Sequence, residues 1–150
     1  MIEARLQQGA FDAGAELVRL GTTGGGGIAS FSGIVRGDDD IVELMLEHHP
    51  GMTQAKMLDM ATAAAARWSL LGAIVIHRFG ALVPGDPIVF VGTAAAHRAA
   101  ALEACAYLID RLKTEAPFWK RETFRDGSAR WVEARRQDDE AAARWRDAPL

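Results

Sequence analysis

Two lysines, Lys113 and Lys120, stand seven residues apart in the stretch Leu112-Lys113-Thr114-Glu115-Ala116-Pro117-Phe118-Trp119-Lys120-Arg121-Glu122. A partly desolvated lysine near other cations has a lowered pKa and can carry a proton, attack an electrophile or stabilise an anion. The spacing leaves all three roles open. Pro117 lacks an amide hydrogen and biases Ala116 away from helical geometry, so a helix arriving from the left is expected to stop there. Ile109, Ala106 and Leu102 precede Lys113 by four, seven and eleven residues. Lys113 is therefore expected to continue the apolar stripe of its own helix, where a lysine must snorkel outward or line a cavity. The plainer alternative is a helix end followed by a basic surface strand.

Further cations fall at other element ends. Arg36 closes a strand, His97 and Arg98 open a helix whose free amides favour an anion, and Arg121 follows Lys120. Each alone reads as a surface charge. Together they suggest a basic pocket for an anionic small molecule. Arg98 and Lys113 lie fifteen residues apart on one helix, which at 1.5 Å per residue is about 22 Å. If both serve one small substrate, the expected arrangement is a homodimer, each pocket taking His97 and Arg98 from one chain and the lysines from the other.

Other chemistries find little support. Neither a serine nor a cysteine carries the motif of an activated nucleophile. Cys105 falls in an apolar stripe and reads as a small buried hydrophobe. His48-His49 and Asp38-Asp39-Asp40 lack ligand spacing, so no metal site is expected. Gly21 to Gly27 has five glycines in seven residues. It reads as a flexible loop, and without a Gly-Lys-Ser/Thr ending or a following helix it is no phosphate cradle. His77, inside a strand, reads as a histidine hydrogen-bonded in place.

The 150 residues fit one domain, 1–150, with 49% apolar and 25% charged residues and a net charge of −3. That balance gives no general attraction to nucleic acid or acidic membranes. No apolar run reaches the about 18 residues of a membrane span, no secretion signal is seen, and one cysteine fits a reducing cytoplasm.

The elements that must position these groups follow from periodicity. Strands are expected at Met1–Gln7, Ile28–Arg36, Ile41–His48, Ala73–Phe79, Ile88–Ala94, Phe118–Phe124 and Trp131–Glu133. Ile28–Arg36 and Ile41–His48 read as a hairpin around Gly37–Asp40. In the return strand Ile41, Glu43, Met45 and Glu47 should share one face, and Val42, Leu44, Leu46 and His48 the other. Helices are expected from an Asp12 cap through Leu20 (Leu17, Val18 and Leu20 apolar), from a Thr53 cap to Trp68, from His97 to Thr114, and over Asp138–Trp145. The third helix should bury Leu102, Cys105, Ala106, Ile109 and Leu112. Gly80 to Asp86 reads as loop and turn. The class is α+β, a mainly antiparallel sheet with packed helices.

An ordered set of motifs resembles one known family. Leu46-Glu47-His48-His49-Pro50-Gly51-Met52-Thr53, Ile76-His77-Arg78-Phe79-Gly80, Pro84-Gly85-Asp86, Ala96-His97-Arg98, Leu112-Lys113-Thr114, Ala116-Pro117-Phe118-Trp119-Lys120-Arg121-Glu122 and Arg130-Trp131-Val132-Glu133-Ala134 are similar to the large, catalytic subunit of molybdopterin synthase. The resemblance runs from about Ile28 to Ala134. It implies an α/β hammerhead fold and sulfur transfer onto cyclic pyranopterin monophosphate (precursor Z), forming the dithiolene of molybdopterin. It also implies a small ubiquitin-like partner whose C-terminal glycine thiocarboxylate enters the pocket, and a homodimer within a heterotetramer. No metal and no cofactor is implied.

By the same resemblance, Lys113 and Lys120 match the two active-site lysines, with Lys113 the one expected to do chemistry. Lys120 and Arg121 would hold substrate and thiocarboxylate. His97 and Arg98 would take the phosphate, Arg36 is a further substrate contact, Phe31 a pocket wall and Arg135 an added anion contact. Two departures stand out: Ile34 replaces a frequent lysine, and Gly37-Asp38-Asp39-Asp40 is a shortened, acidic loop. A different class of function fitting the same residues is a scaffold that docks a ubiquitin-like protein without turnover. Another is a phosphate-ligand binding module without sulfur chemistry.

Overall fold

The computed structural model describes residues 1–38, 40–132 and 136–146. Along the chain these form β1 (Ile2–Gln7), α1 (Ala13–Gly21), β2 (Gly27–Ile34), β3 (Ile41–His48), α2 (Met52–Trp68), β4 (Gly72–Arg78), β5 (Gly80–Leu82), β6 (Pro87–Ala95), α3 (Arg98–Glu115), β7 (Phe118–Phe124), β8 (Ala129–Trp131) and α4 (Arg136–Ala143). Glu133, expected to end a strand, lies outside the described residues, as does Asp39 of the acidic loop.

Two four-stranded sheets result. The first has the order β1-β4-β6-β2 and the second β5-β3-β7-β8. Every pairing is antiparallel except β1 with β4. The α+β expectation therefore holds. The hairpin between β2 and β3 does not form. β2 pairs with β6, and both edges of β3 are taken by β5 and β7. The chain after β2 is tied instead to the Pro84-Gly85-Asp86 turn. The Val35 amide donates to the Asp86 carbonyl and the Gly85 amide to the Val35 carbonyl, both at 2.9 Å. β5 also falls inside a segment that reads as loop, because three residues carry too little periodicity to announce a strand.

β4 and β6 are buried almost throughout and form the centre of the first sheet. Ala73 and Val75 face α2 and α3, where Met57, Met60, Ala61, Ala64, Ala101, Leu108 and Leu112 close the main core. Ile74, Ile76 and Phe90 face the other way and pack with Leu20 of α1. The α1 stripe differs from expectation: Leu20 is buried, but Val18 is 70% exposed and Glu16 is buried instead. Glu16 can be buried because Arg5 and Arg19 both bind its carboxylate, which fastens α1 to β1. In β3 the register shifts between Ile41 and Glu43, so Ile41 is buried and Val42 turns outward. α4 is seated by Trp145, which packs on Trp68 and Tyr107 and donates from Nε1 to Asp110 at 2.7 Å.

The glycine-rich loop is not loose. A Cβ on Gly25 would meet the Ala95 carbonyl oxygen at 2.4 Å, and one on Gly26 the Ala96 oxygen at 2.6 Å. The Gly26 amide donates to that Ala96 carbonyl. These glycines let two backbones touch just before α3 begins at Arg98. Gly25→Ala is therefore expected to destabilise the fold by about 1–3 kcal/mol, because the obstructing atoms are backbone. Urea unfolding of the two chains measures it, and equal midpoints would mean the loop can yield.

Candidate active site

α3 is an unbroken helix from Arg98 to Glu115, ended by an extended Ala116 just before Pro117. Its buried positions are Ala101, Ala104, Cys105, Tyr107, Leu108 and Leu112. Leu102, expected inside, is 61% exposed, and Ala106 and Ile109 are half-buried. The buried face is thus rotated by about one residue from the expected one, since small Ala101 and Ala104 allow close packing against β2 and β6. Lys113 lies on the half-buried flank that runs through Ile109 and Ala106, and is exposed in the last turn. A positive charge there is favoured by the unpaired carbonyls. Burial pushes the Cys105 thiol up to about 11, so it stays unreactive.

Lys120 is central in β7, opposite Leu46 of β3. Strand alternation puts Phe118, Lys120 and buried Glu122 on one face and Trp119, Arg121 and Thr123 on the other. Arg121 accordingly lies beside Trp131, its guanidinium 5.7 Å from the ring centroid, and away from the face of Lys120.

Behind the lysines lies His77, which links the two sheets. Its ring stacks on Phe118 with centroids 3.9 Å apart and 23° between planes, and its Nδ1 donates to the Arg78 carbonyl at 2.8 Å. Burial, then the charges of Lys120 and Lys113, hold its pKa down at about 3 against the Arg78 hydrogen bond. The charges of both lysines therefore reach this ring. One residue before Phe118, the Pro117 carbonyl accepts from the Thr53 hydroxyl at 2.9 Å, and Thr53 Oγ1 in turn accepts from the His49 amide. Thr53 is fully buried and does not cap α2; Gly51 holds that position, with a φ of 79°. Residue type alone marks Thr53 as a cap. Only the return of β7 shows its use. For His77 the available signal was a polar residue following Ile74-Val75-Ile76 in an apolar strand.

The low pKa of His77 has a consequence for stability. In the unfolded chain the ring titrates at its ordinary value of about 6.5. Between about pH 6.5 and 3 the unfolded state binds the extra proton, so stability is full above 6.5 and falls as pH drops through that window. The slope from this residue is at most about 1.4 kcal/mol per pH unit. Thermal unfolding from pH 7 to 4 is expected to lose a component that His77→Phe lacks.

The other cations lie apart. His97 is the N-cap of α3, extended and without a side-chain cap bond, and Arg98 follows; both are exposed. Register fixes their distance from the lysines. Gly27 pairs with Ala95 at one end of the first sheet, while Gly33, Val89 and His77 form a row at the other. Six residues of β6 separate these rows, about 20 Å at strand rise. That agrees with the helix estimate. Arg36 follows β2 at the lysine end, exposed and 3.8 Å from Asp38 of the acidic loop. Phe31 is half-buried against the main core near the middle of β2. Arg135 lies outside the described residues. Clefts of about 470 and 250 Å³ are lined by Asp40, Phe124, Arg125 and Asp126, and by Arg67, Tyr107, Arg111, Trp145 and neighbours; neither includes the lysines, His97 or Arg98.

Comparison with known proteins gives a consistent result. Residues 6–115 match the family described as MoaE protein. The molybdopterin synthase catalytic subunit of Pseudomonas aeruginosa is 49% identical over 148 residues, covering 95% of this chain and 98% of that one. The solved structure of the molybdopterin biosynthesis MoaE protein from Burkholderia ambifaria superposes with a TM-score of 0.82 at 44% identity, covering 97% of this chain and 98% of that one. A protein–protein complex of subunits 1 and 2 of molybdopterin-converting factor from Helicobacter pylori shares the fold, with a TM-score of 0.73 at 21% identity and coverage of 89% and 90%.

Proposed function

The chain belongs to the MoaE protein family, and we propose that it works as the catalytic subunit of a molybdopterin synthase. It transfers sulfur from the C-terminal thiocarboxylate of a small ubiquitin-like subunit to precursor Z, building the dithiolene of molybdopterin. The observation that carries this reading is the placing of Lys113, in the last turn of α3, and Lys120, in β7, to either side in the chain of the Phe118 ring that stacks on buried His77.

Each residue has a task set by its chemistry. Lys113, exposed at a helix end, is placed for the covalent or proton-transfer step. Lys120, half-buried in a strand, is the fixed positive charge that holds the anionic substrate and the incoming thiocarboxylate. His97 and Arg98 take the phosphate at a helix start whose amides add to the field. Arg36 adds a substrate contact, partly offset here by Asp38. Phe31 supplies an apolar wall. Arg121 acts from the opposite face of β7, so its contact is with the small subunit's tail rather than with the reacting carbon. Arg135 remains assigned to an added anion contact.

The two ends of α3 lie too far apart to serve one small substrate, so the pocket is shared across a homodimer. A small subunit on each half gives a heterotetramer. Among the described residues, no helix is long and apolar enough to cross a membrane. The cytoplasm is the proposed compartment and 1–150 one functional domain.

A single-turnover reaction tests the function. The chain is mixed with precursor Z and thiocarboxylated small subunit, and molybdopterin is measured. Product supports the enzyme. Small-subunit binding without product favours the docking scaffold, and phosphate-ligand binding without either favours the simple binding module.

A further inference from the structure

Several independent observations meet at His77. The residue is 7% exposed, so its ring has a fixed place. It belongs to β4 in the first sheet, while Phe118, against which it stacks, belongs to β7 in the second. Phe118 and Lys120 are two residues apart on one face of β7. The Nδ1 atom meets a carbonyl oxygen, which cannot donate. In the neutral ring Nδ1 therefore carries the proton and Nε2 keeps its lone pair. Among the described residues, the charges of Lys120 and Lys113 act on the ring.

We propose that His77 is a positioning residue for the lysine pair: its stack on Phe118 fixes the strand carrying Lys120, and its neutral ring offers one Nε2 lone pair as an acceptor to an ammonium group. The inference rests on the reading of Lys113 and Lys120 as the active-site pair. Thr53 fastens the same strand one residue earlier through the Pro117 carbonyl, so the start of β7 is held at two points. A neutral acceptor suits this place. It can orient an ammonium and brings no negative charge of its own. Because burial keeps the ring unprotonated, it adds no positive charge to the pair.

The test uses the full chain with thiocarboxylated small subunit and precursor Z. Nitrogen-15 spectra of the native imidazole are expected to show the neutral Nδ1–H tautomer of His77. His77→Phe keeps a ring against Phe118 and deletes the acceptor. Its single-turnover rate is expected to fall about tenfold or more, with some weakening of precursor binding through Lys120 and with small-subunit affinity within about threefold of native. Phe118→Leu removes the stack and leaves His77; it should slow turnover with small-subunit binding intact, and it serves if His77→Phe does not fold. An Nε2–H tautomer, native turnover in His77→Phe, or a rate loss matched by lost small-subunit binding would overturn the proposal. If the native chain makes no product, the lysine reading itself falls and this inference with it. If the native chain turns over and His77→Phe does too, only the role of His77 falls.

Discussion

Lys113→Ala is expected to reduce molybdopterin formation by about 10²–10⁴-fold, the range associated with losing a positioned proton-transfer group. The fold should survive. Lys113 is exposed, and its charge at the helix end contributes about 0.3–1 kcal/mol. Small-subunit binding should also persist, since one exposed side chain is removed and no core residue is touched. Lys113→Arg sharpens the result. Arginine keeps the positive charge but is neither a nucleophile nor a proton carrier near neutral pH. An inactive arginine variant that binds precursor places chemistry on the amine. An active one reduces Lys113 to a charge, and a fully active alanine variant removes it from the mechanism.

Lys120→Ala should behave differently, and the difference follows from where the two lysines sit. Lys120 is half-buried in the middle of β7, between Phe118 and buried Glu122 on one face. Its loss should weaken precursor binding as well as rate, because a fixed charge acts on ground state and transition state alike.

The end of α3 at Pro117 was readable because proline acts locally, and so were the α2 and α3 spans, whose apolar residues recur at helical spacing. The lysine block was readable for the same reason, with its motif and its helix end in one stretch of chain. Partner choice was not. β2 and β3 look like a hairpin because they are adjacent and joined by turn residues, yet they join different sheets. Nothing in Ile28–Arg36 says that β6 is its partner, since alternation marks which face is buried and not which edge is paired. The face of α3 misread by one residue shows a second limit. Leu102 is more apolar than Ala101 or Ala104, but close approach of a helix to a sheet selects the small side chains. The glycine loop shows a third. Gly25 and Gly26 are needed because Ala95 and Ala96 lie against them, a contact some seventy residues away. His77 combines these limits, since its neighbours come from α3 and β7 while its own strand supplies one carbonyl.

Mixing two inactive variants, Lys113→Ala and Arg98→Ala, is expected to restore activity. Two rulers place these residues at opposite ends of the protomer: fifteen residues of an unbroken helix, about 22 Å, and six residues of β6, about 20 Å. No straight helix can bring its own ends to one small substrate. In a two-fold dimer a mixed pair has one site with both defects and one with neither. Random exchange makes half the dimers mixed, so about a quarter of all sites should be intact. Activity should rise from background toward that fraction as subunits exchange, while mixing either variant with itself stays inactive. Differently tagged chains recovered together would confirm that mixed dimers formed. Mixed dimers without activity would place Arg98 and Lys113 in one protomer's pocket or remove Arg98 from the site. Recovery would require that the chain that supplies the lysines borrows its phosphate clamp, so that dimer dissociation switches off both sites at once.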